Sequence, residues 1–190
     1  MNARASMPLR LAMAMTLVSL PAWGQTVTFA DLDGLAIEAN VVREQVLRRD
    51  GPQFPIRAYV DWKIVIGPKD TVQFTYDTTV ETPVGRQKNP RLSGSPALGQ
   101  MRQTGALGGG QSRWQFEDGT LQFMRTFQRG AFKTDFAFSR DAEGFACTVN
   151  EVFAREGGTG MIVWLSPIDG KATTLVSGKQ ASSTCRVSKP

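Results

Sequence analysis

Residues 54–66 alternate strictly. Phe54, Ile56, Ala58, Val60, Trp62, Ile64 and Ile66 are apolar, while Arg57, Asp61 and Lys63 fall between them. That period of two over so long a stretch describes a strand with one dry face and one wet face. The segment before it, 35–49, is open to two readings, because Leu35, Ala39, Val42 and Val46 would also suit a helix. The Asp50-Gly51 pair decides between them. A two-residue hairpin turn there sets Leu47 opposite Phe54, Val41 opposite Val60, Ala39 opposite Trp62 and Ile37 opposite Ile64, apolar on both sides each time. A helix would not produce that agreement, so 35–49 is read as a strand.

The same test works further along. A turn at Asp118-Gly119 pairs Trp114 with Phe123. A turn at Arg129-Gly130 pairs Phe123 with Phe136 and Leu121 with Phe138. The loop Asp141–Gly144 pairs Phe138 with Cys147, Phe136 with Val149 and Phe132 with Phe153. Since a one-residue slip would turn a strand inside out, four strands sharing one aromatic face is evidence for the registers. Further strands are expected at 72–82, 161–166 and 172–187, with Gly157-Gly158 and Asp169-Gly170 as punctuation. The chain is therefore expected to be all-β, an antiparallel up-and-down meander of about 8–10 strands closing into a closed or nearly closed barrel, with a two-sheet β-sandwich as the alternative. The stretch 83–110 has little periodicity, contains Pro83, Pro90 and Pro96, and ends in three glycines, so it reads as a long loop with a short strand near 92–98.

Residues 1–24 have the layout of a secretory signal peptide: Arg4 and Arg10, an uncharged run from Leu11 to Leu20, then Ala22-Trp23-Gly24 before Gln25. The expected mature chain, 25–190, is a single domain in the periplasm or outside the cell. The leader holds two of the 22 basic residues and none of the 17 acidic ones, which leaves the mature chain at +3. There is no histidine, which removes the commonest general base and metal ligand. Cys147 and Cys185, even in number in an exported chain, are expected to form a disulfide rather than a nucleophile or a thiolate metal site. No enzyme, cofactor or metal centre is expected.

Two groups of residues could carry function. The registers above set Ser112, Arg125, Thr134 and Glu151 at one level on the dry face. Arg125 and Glu151 would pair across the interior, as a structural ion pair or as an anchor for a ligand in a cavity lined by Trp62, Trp114 and their aromatic neighbours. The second group is a basic block. No acid occurs from Thr82 to Phe116, a stretch that contains Arg86, Lys88, Arg91, Arg102 and Arg113. Such a block could attract lipid head groups, a polyanionic saccharide or an acidic protein. Gly105–Gly110 is not a phosphate loop, because no Lys-Ser/Thr follows it.

The stretch that begins with the glycine run and continues through Trp114-x-Phe116-x-Asp118-Gly119-Thr120-Leu121, Arg125-Thr126-Phe127, Cys147-Thr148-Val149-Asn150-Glu151 and Phe153-Ala154-Arg155-Glu156 resembles small exported bacterial β-rich proteins to which no activity is assigned. At the level of architecture the meander is similar to lipocalin-like and avidin-like barrels, although Gly34 is followed by Leu35-Ala36 rather than by the lipocalin Gly-x-Trp. Two functions follow as expectations. One is a barrel that binds a small apolar or anionic ligand in its interior. The other is a non-enzymatic surface or interaction protein with a filled core, using 83–113 to contact anionic envelope components or an acidic partner. Nucleic acid is not an expected partner of an exported chain.

Overall fold

The structure is a computed structural model that describes residues 26–89, 91–104, 110–127, 130–141, 144–155, 161–165 and 172–189. The leader, the glycines at 105–109 and the Gly157-Gly158 and Asp169-Gly170 punctuation lie outside the described residues. Among the described residues a 3-10 turn, Phe29–Leu32, precedes twelve strands: β1 (Ala36–Arg48), β2 (Gln53–Gly67), β3 (Thr71–Thr82), β4 (Gly85–Lys88), β5 (Leu92–Gly94), β6 (Arg102–Thr104), β7 (Gly110–Glu117), β8 (Thr120–Phe127), β9 (Gly130–Asp141), β10 (Gly144–Arg155), β11 (Met161–Leu165) and β12 (Ala172–Ser188). Among the described residues there is no α-helix, and no helix is long and apolar enough to cross a membrane.

The strands form two antiparallel sheets. One runs β11-β12-β1-β2-β3-β4, with β5 also on β3; the other runs β10-β9-β8-β7-β6. The closed barrel is thus corrected to the two-sheet alternative. The first-to-last contact that closes a meander is present, since β1 pairs along most of its length with β12. The ladder breaks elsewhere, because β11 pairs with β12 rather than with β10, and β6 pairs with β7 rather than with β5. β5 falls where a short strand was expected within the 83–110 loop, while β4 and β6 occupy parts of it read as loop. β4 and β6 are four and three residues long, too short for a period to show.

The registers of β1–β2, β7–β8 and β9–β10 are those expected: Leu47 faces Phe54, Trp114 faces Phe123, and Phe138 faces Cys147. The β8–β9 register is not. Phe127 pairs with Gly130 and Phe123 with Thr134, where a turn at Arg129-Gly130 requires Phe132 and Phe136; residues 128 and 129 lie outside the described residues. A shift of two residues keeps every side chain on its face and moves it roughly 7 Å along the neighbour.

Where β10 meets β12 a side chain replaces the ladder. β12 bulges against β1, so that Val42 faces Ser182 while Arg43 faces Gln180. At this bulge Gln180 reaches across to the other sheet. Its Oε1 accepts from the Glu151 N–H at 2.9 Å and its Nε2 donates to the Val149 carbonyl at 3.0 Å. A bulge bends its strand and re-aims the adjacent residues, and here it lets one amide occupy the position of a peptide group. The Cys147–Cys185 disulfide, with Cα atoms 5.5 Å apart, ties the same seam.

Rings fill the space between the sheets. Trp62, 1% exposed, has ring centroids of Tyr76 at 4.5 Å, Phe123 at 5.2 Å, Phe136 at 5.6 Å and Trp114 at 5.9 Å. The N-terminal segment closes the end of the sandwich at the 118–119 turn. Phe29 packs edge-on against Phe116, and Arg140 donates to Asp31 Oδ1. The Thr28 N–H and hydroxyl both donate to Asp31 Oδ2 at 2.8 Å. Those bonds from Thr28 and the Arg140 guanidinium lower the Asp31 pKa to about 2.

Candidate functional site: a buried ion pair and a basic end

β1 presents Ile37, Ala39, Val41, Arg43, Gln45 and Leu47 to the interior. Arg43 breaks that apolar row and crosses to the opposite sheet. Its Nε donates to Glu151 Oε2 at 2.5 Å and its Nη2 to Oε1 at 2.6 Å, while Nη1 donates to the Tyr76 hydroxyl at 3.0 Å. The guanidinium lies 4.6 Å from the Phe132 ring centroid. The pair is sealed, with side-chain exposures of 7% for Arg43 and 0% for Glu151. Burial works against the Arg43 charge, but Tyr76 and Glu151 outweigh it and raise its pKa.

The expected row is therefore rebuilt. Glu151 and Thr134 do face one another, with Thr134 Oγ1 3.4 Å from Oε1, and Ser112 faces Arg125. The two-residue shift of β8 against β9 sets Arg125 opposite Phe132 rather than Thr134, and both Glu151 oxygens are taken by Arg43. Arg125 is half-buried; burial lowers its pKa, against the opposing effect of the Tyr76 phenol. Arg43 was legible as a charge on the inward parity of β1. Its connection to Glu151 was not, because nothing in the sequence relates residues on facing sheets. Trp62 and Trp114 belong to the ring cluster, each 1% exposed.

The basic block is partly neutralised by acids from just outside its bounds. β4 pairs with the end of β3, setting Arg86 opposite Glu81. Arg86 Nη2 lies 3.5 Å from Glu81, and Arg91 Nη2 lies 2.8 Å from Asp77. The Arg91 hydrogen bond holds Asp77 below its usual pKa; the Tyr59 hydroxyl, then Arg86, do the same for Glu81. Lys88 and Arg102 are exposed, and Arg113 is half-buried with its Nη2 3.8 Å from Met124 Sδ.

The hairpin tips of β1–β2 and β3–β4 lie at the same end of the sandwich. An open cleft of about 690 Å3 there has Val46, Pro55, Ile56 and Pro83 as its apolar lining and Arg57 and Lys179 as its cations. Glu44 accepts from both cations, from Lys179 at 3.2 Å and Arg57 at 3.3 Å. Lys179, then Arg57, hold its carboxyl below the usual range. The exposed carboxylates Asp33, Asp70, Glu117 and Asp118 lie at the opposite end.

The chain matches no protein-family model, no curated protein and no solved structure. The fold and the two groups of residues above are therefore the whole basis for a functional reading.

Proposed function

We propose that this is an exported, non-enzymatic interaction protein that meets an anionic partner through its cationic surface. The observation that carries the reading is the filled interior. Trp62 and Trp114, candidates for lining a ligand cavity, are instead packed against each other and against Phe74, Phe123 and Phe136. Binding sites for small molecules are concave spaces of several hundred Å3; between the sheets the apolar rings meet ring to ring, and the open cleft at the hairpin-tip end does not reach them. The buried Glu151 is held by Arg43, which suits a tie between the sheets better than an anchor for a ligand. The surface, by contrast, displays Arg86, Lys88, Arg91 and Arg102. The Cys147–Cys185 disulfide supports a location outside the reducing cytoplasm.

The test is chromatography on an acidic polysaccharide column beside titration with an apolar fluorescent probe. The expected result is retention that weakens as ionic strength rises past about 0.15 M. Replacing Arg86, Lys88 and Arg91 together by Ser should bring elution to lower salt. Saturable uptake of the probe with quenching of tryptophan fluorescence, and no retention on the column, would instead establish an interior ligand site.

A further inference from the structure

We infer that the partner is an anionic lipid surface, met by the end of the sandwich that carries the β1–β2 and β3–β4 hairpin tips, with Val84 entering the interface. The inference rests on the reading above and narrows it from an anion to a membrane.

Val84 is the observation. It is 96% exposed, against 36–50% for the other exposed large apolar residues described. It occupies a two-residue tip, since Thr82 pairs with Gly85. With Pro83 beside it and no left-handed backbone at Val84, the position accepts most residues, polar ones included. The tip is firmly built. The Thr82 hydroxyl donates to the Gly85 carbonyl at 3.0 Å and accepts from the Val84 N–H at 3.3 Å, and Pro83 restricts the backbone beside it. Apolar surface is thus held out in solvent by a turn that polar residues would form as well. A polysaccharide does not need this, whereas an interface between head groups and acyl chains rewards it.

Charge favours the same orientation. Arg48 borders the β1–β2 turn, and Arg86 and Lys88 follow the Val84 tip; all three are exposed. With Arg57 and Lys179 at this end they outnumber Glu44, Asp50 and Glu81, which also lie there, whereas at the far end the exposed Asp33, Asp70, Glu117 and Asp118 are matched by the exposed Lys69, Arg140, Arg186 and Lys189. A molecule so polarised turns its cationic end toward an anionic leaflet. Each cation close to such a surface contributes about fivefold in binding. Burying one valine side chain contributes about tenfold or more.

The test uses the mature, disulfide-bonded chain. Co-flotation is measured with vesicles of phosphatidylcholine alone and of phosphatidylcholine mixed with phosphatidylglycerol, beside elution from a sulfated polysaccharide column. The expected result is binding to the phosphatidylglycerol vesicles only. Val84→Ser should reduce it about tenfold without moving the column elution, and Val84→Trp should raise it. Arg48→Ser, Arg86→Ser and Lys88→Ser together should weaken both. Since these positions are exposed, thermal unfolding should match that of the unsubstituted chain. Retention on the column without flotation, or flotation indifferent to Val84, overturns the lipid surface and leaves the anionic-partner reading standing. Failure of both binding assays overturns both.

Discussion

The Arg43–Glu151 pair gives the sharpest test of how the two sheets hold together. Both charges are removed from water and joined by two charge-assisted bonds. Glu151→Leu leaves a buried guanidinium without its counter-charge, and Arg43→Met leaves a buried carboxylate in the same state. Breaking one side of a sealed pair costs about 3–5 kcal/mol. That is about a fifth or more of the roughly 5–15 kcal/mol that stabilises an ordinary domain, and it corresponds to a fall in Tm of about 6–20 °C for a chain of this size. Replacing both, as Arg43→Met with Glu151→Leu, restores an apolar interface of similar volume and removes both desolvation penalties. What remains is the Tyr76 hydroxyl without the Arg43 donor and the Thr134 hydroxyl without Glu151. Each costs about 1–3 kcal/mol if nothing else satisfies it. The double variant should therefore be no less stable than the weaker single, with a coupling energy of at least about 2 kcal/mol between the sites. Urea unfolding followed by tryptophan fluorescence, with the disulfide intact and the m-value constant across the series, measures this directly. Additive effects of the two substitutions would falsify the assignment of the pair as a cross-sheet tie.

Replacing Cys147 and Cys185 by Ala should cost about 3–4 kcal/mol from chain entropy alone, given their separation of 38 residues; an unchanged Tm in the double variant would show that the rest of the β10–β12 seam suffices. Asp31 should make the docking of the N-terminal segment sensitive to acid. Its folded pKa is lowered to about 2, so its contribution is complete above the unfolded value near 4 and is lost as pH falls through the folded one. Amide exchange over 26–35 should therefore accelerate between about pH 4 and pH 2, and Asp31→Asn should abolish that dependence, whereas an identical pH response in the variant would place the titrating group elsewhere.

Local structure was legible because two independent signals had to agree. The alternation of β2 set its faces, and Asp50-Gly51 set its partner. Together they turned 35–49 from an ambiguous segment into β1, with the observed register. Where the turn signal misled, as at Arg129-Gly130, alternation still protected the faces. Phe132, Thr134, Phe136 and Phe138 are all buried in β9 despite the two-residue shift. What a shift of two does not preserve is the level of a residue along the strand, and a site is built from levels. Arg125 therefore fell opposite Phe132 while keeping its inward parity.

Closure and charge were harder to read, for a common reason. Both depend on neighbours that the period of a single strand does not encode. The disulfide partners were evident from their number, yet the seam they close depends on a bulge in β12 that turns Gln180 toward β10, and no dry-face count reveals a bulge. Likewise the acid-free run from Thr82 to Phe116 is real along the chain, but β3 returns beside β4 and brings Glu81 next to Arg86. Asp77 meets Arg91 in the same way. The sheet thereby converts a sequence-local excess of charge into pairs worth little in stability and weaker as an attractant. What survives is a smaller set of cations gathered from separate strands at one end of the molecule, around an exposed valine. That end exists only because the β1–β2 and β3–β4 turns lie side by side. A surface assembled in this way depends on the registers as much as the core does, so a variant that slips a register should lose its anionic partner even where its charges are all retained.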